Sequence, residues 1–292
     1  MRKRILWLTA VVLAGIPLGL TLLWQSGMPK AVNYPIDNGY DDFIAAAALT
    51  IRAAHEPTNI VGWRTVYLTN QPALDRMRAG LEKTCLSSNT YDGAGMKVVM
   101  DRMGKFKLLA LAQRAEFEVA LADGDTNAAV RSAITGLRFG NDLARGGVIM
   151  EALVGRAVRS VALTPLLPII TNLSLTNAIF ALEHSLIIAS NAPPARENLV
   201  RESAVRHQFS GLKGYVLHLV GFGRSTIVRV EQDFEITQNA SMNDLGELCG
   251  RFGKRVYELE NGKPAGSWKD LVPRYLPEIP KDIITGSDLP FP

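Results

Sequence analysis

The chain has 292 residues with 32 Lys or Arg against 28 Asp or Glu and a sequence pI near 9.1, long enough for one large or two modest domains with a real core. Three of the 32 basic residues are Arg2, Lys3 and Arg4, so the chain beyond them carries 29 positive against 28 negative charges. That near-neutral, well-mixed balance excludes the basic footprint of a nucleic-acid binder.

Met1-Arg2-Lys3-Arg4 runs directly into an uncharged apolar stretch from Ile5 to Trp24. At helical rise it covers about the ~30 Å hydrocarbon core of a bilayer. Gln25-Ser26-Gly27-Met28-Pro29 offers no small-x-small cleavage site, so the sequence predicts an uncleaved anchor. Its basic flank keeps the N-terminus cytoplasmic and sends the remainder outside. The expectation is a single-pass protein of a bacterial inner membrane with its body in the periplasm. Three parts are expected: the anchor 1–27, a helical domain 28–240, and a C-terminal helix with its tail, 241–292.

Beyond a linker with Pro29 and Pro35, helical periodicity dominates and runs of alternating β-branched residues are missing, which predicts an all-α body. A first helix is expected over Tyr40–Glu56, with Asp41 and Asp42 in its first turn and Pro57 ending it. A second follows at Ala73–Lys83, then a polar loop from Ser87 to Gly95. Lys97–Ala122 and a helix from Thr126 to about Arg145 flank Asp123-Gly124-Asp125, a turn short enough to make them an antiparallel hairpin.

Val148–Ile170 is apolar, but Glu151, Arg156 and Arg159 interrupt it and Pro165 and Pro168 break its end, so it reads as a core helix with its charges on one face. Ser174 is expected to cap a helix through Ser190. Pro193-Pro194 starts another towards Gly221, and an amphipathic stretch covers Thr226–Gln238. Ser241-x-x-Asp244 predicts a fresh helix start. Leu245, Leu248, Cys249, Phe252, Val256 and Leu259 then form one apolar stripe. Glu247 with Arg251 and Lys254 with Glu258 fall at i,i+4 on the opposite, wet side, as does Arg255. Asn261-Gly262 stops this helix.

No strong chemical motif is present: there is no Gly-x-Ser-x-Gly, no phosphate-binding Gly-x-x-x-x-Gly-Lys, no Cys-x-x-Cys and no His-Glu-x-x-His. Asp123, Asp125 and Asn127 have the opening spacing of a calcium loop, but Ala128 and Ile134 replace its Gly and Glu, so helix capping is the better reading. His55, His184, His207 and His218 are scattered. Glu202, Arg206 and His207 share a helix and read as a solvated face with an ion pair. Asp37, Asp41 and Asp42 read as capping residues before a cation site. Asp282, Ser287 and Asp288 form a tail cluster of the same ambiguous kind. Cys85 and Cys249 either pair or are buried as small hydrophobes. No catalytic, cofactor-binding or metal-binding residue set follows, and no cofactor.

Three resemblances rest on these residues. The hairpin, with Gly124 in its turn and Ala129 at a packing position, resembles a tetratricopeptide unit over about 40 residues, although no second copy follows at the 34-residue spacing a solenoid requires. The tail resembles that of the type II secretion major pseudopilin at Asn261, Gly262, Pro264, Leu271, Tyr275, Pro280 and Asp282. It departs from it at Ile283, and the N-terminus lacks the pseudopilin processing site. The whole pattern of anchor, Asn38-Gly-Tyr-Asp-Asp42 helix start, hairpin and Asn-Gly-Lys-x-Pro tail resembles a family of uncharacterised membrane-anchored proteins of planctomycete and verrucomicrobial bacteria. Location and architecture are what that resemblance implies. The function expected is protein–protein interaction or envelope and secretion scaffolding, with membrane and protein partners and no nucleic acid. The alternative is an extracytoplasmic hydrolase with a site built from dispersed Glu and His.

Overall fold

A computed structural model describes residues 33–53, 57–89, 93–206 and 224–292. Among these residues all regular structure is helical, and strand-like pairing is limited to an isolated bridge between Lys281 and Asp288. The expected anchor at Ile5–Trp24 lies outside the described residues. In chain order the elements are α1 (Gly39–Leu49), α2 (Ile60–Leu81), α3 (Gly93–Ala122), α4 (Thr126–Ala144), α5 (Ile149–Leu166) with a 3-10 turn (Leu167–Asn172), α6 (Leu175–Ser190), α7 (195–206), α8 (Arg224–Asn261) and α9 (Trp268–Leu271).

Side chains from distant positions decide where the first helices stop. Asn38 caps α1 through Oδ1, which accepts from Tyr40 N, and it also clasps Leu86 by accepting from its N–H and donating to its carbonyl. The helix ends at Leu49, not at Glu56 as expected. Asn70 of α2 bonds both the N–H and the carbonyl of Ile51, at 2.7 and 3.2 Å, and so supplies the extended chain with the partners a further helical turn would have given. α2 begins thirteen residues before the expected Ala73, capped by Asn59 accepting from Gly62 N. It carries Pro72 inside, whose missing N–H falls on an exposed face beside Leu68.

α3 and α4 lie antiparallel across the turn at Gly124, clasped at mid-length by Gln113 and Ser132: Gln113 Nε2 donates to Ser132 Oγ at 2.6 Å, and Ser132 Oγ donates to the Gln113 carbonyl at 3.0 Å. α4 and α5 make the most extensive helix pairing among the described residues. It depends on bare backbone: a Cβ on Gly140 would lie 2.5 Å from the Gly155 carbonyl oxygen, and a Cβ on Gly155 would lie 2.3 Å from that of Gly140.

With two smaller clusters beside them, the two largest apolar cores among the described residues lie on either side of the α4–α5 pair. One joins α1, α2 and α3 around Tyr40, Phe43, Phe106 and Phe139, whose rings meet edge to face at centroid distances of 5.0 to 6.3 Å. The other joins α6, α8 and the tail around Leu182, Leu248, Phe252 and Leu271. α8 is a single helix of 38 residues that passes unbroken through the expected 240/241 boundary. The helix start expected at Ser241 is therefore wrong: Ser241 is an interior residue whose hydroxyl accepts from Arg159, 82 positions away. The stripe from Leu245 to Val256 is buried as expected, and the helix stops at Gly262 with φ +68°. The wet-side assignment holds for Glu247 and Arg251, paired at 2.6 Å. It fails for Arg255, which donates twice to the Leu173 carbonyl, and for Lys254, which reaches the Pro292 carbonyl at 2.6 Å.

By length and composition alone, Ile149–Asn172 is a candidate membrane span, internal to the chain. Within the body it supplies Ala152, Val154, Val158, Ala162 and Leu166 to the cores. Its charges are not set apart on one exposed face: Glu151 and Arg159 are 1% and 3% exposed, and Arg156 is half-buried.

Candidate functional site

A groove of about 460 Å³ opens where the end of α2 meets α4 and α6. α4 contributes Ile134, Arg138, Asn141, Asp142 and Arg145, spaced so that all fall on one helical face. α6 contributes His184, Ile187, Ile188 and Asn191, at i, i+3, i+4 and i+7. One wall is thus aliphatic, with Ile187 56% exposed, and the facing wall is a row of ion pairs.

Each charged group on that row is already held. Arg138 donates to the Leu81 carbonyl and to Glu82, and Arg145 donates to the Asn191 carbonyl at 2.7 Å, closing the C-terminus of α6. Asp142 lies 3.7 Å from Arg145 and 3.9 Å from Arg138; burial raises its carboxyl pKa, with the two arginines pulling the other way. Lys83, at the groove's edge, bridges Asp37 and Asp42. The groove therefore presents fixed, paired charges rather than a field of one sign.

Two groups in the groove have nucleophilic or acid–base chemistry. Cys85 is 4% exposed, and burial pushes its thiol up to about 12, where almost no thiolate exists at neutral pH. His184 lies against the Phe180 ring with centroids 4.0 Å apart, and its Nδ1 is 2.9 Å from the Phe180 carbonyl. The hydrogen-bond partners of both are backbone carbonyls: those of Gly80 and Lys83 for Cys85, and that of Phe180 for His184.

The candidates expected from sequence are not brought together. Asp37 and Asp42 share Lys83, Asp42 also pairs with Arg76, and Asp41 accepts from Ser88; the cap is Asn38 and not one of these carboxylates. Asp125 caps α4 through Ala128 N, in line with the capping reading, whereas Asp123 pairs with Arg64 of α2 instead. Glu202 pairs weakly with Arg206, which reaches Glu231 at 3.0 Å. His55, His207 and His218 lie outside the described residues. Asp282 spends its carboxylate as a turn cap, accepting from Ile284 N, Thr285 N and Asn243 Nδ2. Cys85 and Cys249 are free and belong to different cores. No group of three His, Cys, Asp or Glu suited to a metal occurs among the described residues.

Sequence reasoning did not find the groove. Its signal was present in the polar positions 138, 142 and 145 that break the apolar run of α4, but only the packing of α6 makes them a wall. Asn141, 2% exposed, connects this wall to the interior: Nδ2 donates to the Ile188 carbonyl, and Oδ1 accepts from Arg159 at 3.2 Å. Comparison with protein-family models, curated proteins and solved structures finds no match to this chain.

Proposed function

We propose that the chain is a membrane-anchored extracytoplasmic binding protein whose helical body receives a segment of a protein partner in the α2–α4–α6 groove. The observation that carries this reading is the exposed aliphatic edge at Ile187, facing a row of paired charges. The α4 wall as a whole, from Ile134 to Arg145, is roughly 16 Å long, the span of about five residues of extended chain, with the charges along its last ~10 Å. Fixed ion pairs with unused N–H groups suit a partner's backbone carbonyls and carboxylates, and the isoleucines suit its alternate apolar side chains. The anchor and periplasmic location rest on the basic N-terminus followed by Ile5–Trp24, and the likeness of the α3–α4 pair to a tetratricopeptide hairpin agrees with a peptide-receiving role. The hydrolase reading gains no residue set from the described part of the chain.

Photo-crosslinking in native membranes tests this reading. A crosslinker placed at Ile187 is expected to give a discrete adduct that disappears when Arg145→Glu reverses one wall of the groove. A control at Ile283, 50% exposed in the tail turn, should not give it. Identical adducts from both positions, or none from Ile187, would contradict the proposal.

A further inference from the structure

Arg159 brings a full charge into the interior with no ion pair among the described residues. Its guanidinium donates to two neutral acceptors, Asn141 Oδ1 at 3.2 Å and Ser241 Oγ at 2.8 Å, and its Nε–H has no acceptor. Burial, with Arg156 nearby, pulls its pKa down to about 10, so the group is still charged at neutral pH. Removing a guanidinium from water without a directly contacting carboxylate is costly, and three of its five N–H groups are unspent.

A cavity of about 80 Å³ borders this side chain between α5 and α8. α5 lines it with Arg156, Arg159, Ser160 and Leu163, which share one helical face, and α8 lines it with Ser241 and Asp244. Arg156 likewise has no ion pair or hydrogen bond among the described residues. Asp244 is the one carboxylate in the lining, so two guanidinium groups leave an excess of positive charge. Burial pushes its own carboxyl up in pKa against the pull of Arg156 and Arg159, and a single carboxylate can balance only one of these two guanidinium charges. The volume is several times what one water needs, enough for an ion of about five heavy atoms and too small for a large phosphoester.

We propose that this cavity binds a small free oxyanion of the phosphate or sulfate type, held between Arg156 and Arg159 with the Ser241 hydroxyl as a further donor. Planar guanidinium forks match oxyanion geometry, which a spherical halide does not exploit. Because the lining comes from α5 and α8, the bound anion would also clamp the long helix to the body, independently of what the groove receives.

The test is calorimetric titration of the full chain, in uncharged detergent, with inorganic phosphate and sulfate, and with chloride at matched ionic strength. One saturable site is expected for the oxyanions and none for chloride. Arg156→Gln, at the half-buried rim, should weaken binding about ten- to a hundredfold, the loss of a charge-assisted contact. Asp244→Asn, which removes the competing carboxylate, should tighten it, with circular dichroism confirming that both variants are folded. Absence of a saturable site, equal binding of chloride, or equal affinity of Arg156→Gln and the unmodified chain would each overturn the proposal.

Discussion

Single side chains hold the irregular parts of this molecule, and Asp282 shows how. Its carboxylate accepts from Thr285 N at 2.7 Å, Ile284 N at 2.9 Å, Thr285 Oγ at 3.1 Å and Asn243 Nδ2 at 2.6 Å. These donors, the Thr285 N–H foremost, favour the charged form and lower its pKa below the usual carboxylate value. A depressed folded-state pKa contributes stability that is present above the unfolded pKa and is lost as the pH falls through the folded one. Asp282→Asn should therefore lower thermal stability at neutral pH, with the deficit shrinking towards zero in acid. A deficit that stays constant with pH would refute this. Such local roles are partly legible: Asp125 as a cap and Glu247 with Arg251 as a pair follow from spacing of three or four residues. Arg255, Lys254 and Ser241 were not, because their partners Leu173, Pro292 and Arg159 lie 82, 38 and 82 positions away.

At the scale of elements, the clearest sequence signal is the stripe on α8, and it is buried where expected. Phe252 is fully buried within the second core, so Phe252→Ala should cost about 3–5 kcal/mol in unfolding free energy. Arg251→Ala, which loses only an exposed i,i+4 pair, should cost less than about 0.5 kcal/mol. Comparable small effects of both on chemical denaturation would mean that the tail end of α8 is not part of the fold. Arg255 is no neutral control here, since its guanidinium holds the Leu173 carbonyl. Helix identity was legible in the periodicity, whereas the ends of α1 and the start of α2 were not. Asn70 on one element terminates another, and Asn59 starts a helix whose Pro72 disguises it. The groove was hidden for the same reason: α4 and α6 each carry an ordinary polar or apolar stripe, and the site exists only where they meet.

For the whole molecule, everything depends on α5. Ile149–Asn172 passes as a membrane span by length and composition, yet the same helix places Glu151 against Ser87 and Asn89 and Arg159 against Asn141 and Ser241. Those polar contacts tie α5 to the loop after α2, to α4 and to α8. Gly140 and Gly155 let α4 and α5 approach more closely than any larger residue permits. On the proposed reading both main cores, the groove and the anion cavity would belong to one water-facing body, and the apolar segment before Gln25 would be what binds the membrane. The most direct test is a chain lacking residues 1–27, assayed for solubility without detergent and for cooperativity of thermal unfolding. The account predicts a detergent-free, folded protein with a single transition that Phe43→Ala in one core and Phe252→Ala in the other both lower. A folded protein that still requires detergent, or two transitions each answering to only one of these substitutions, would contradict it.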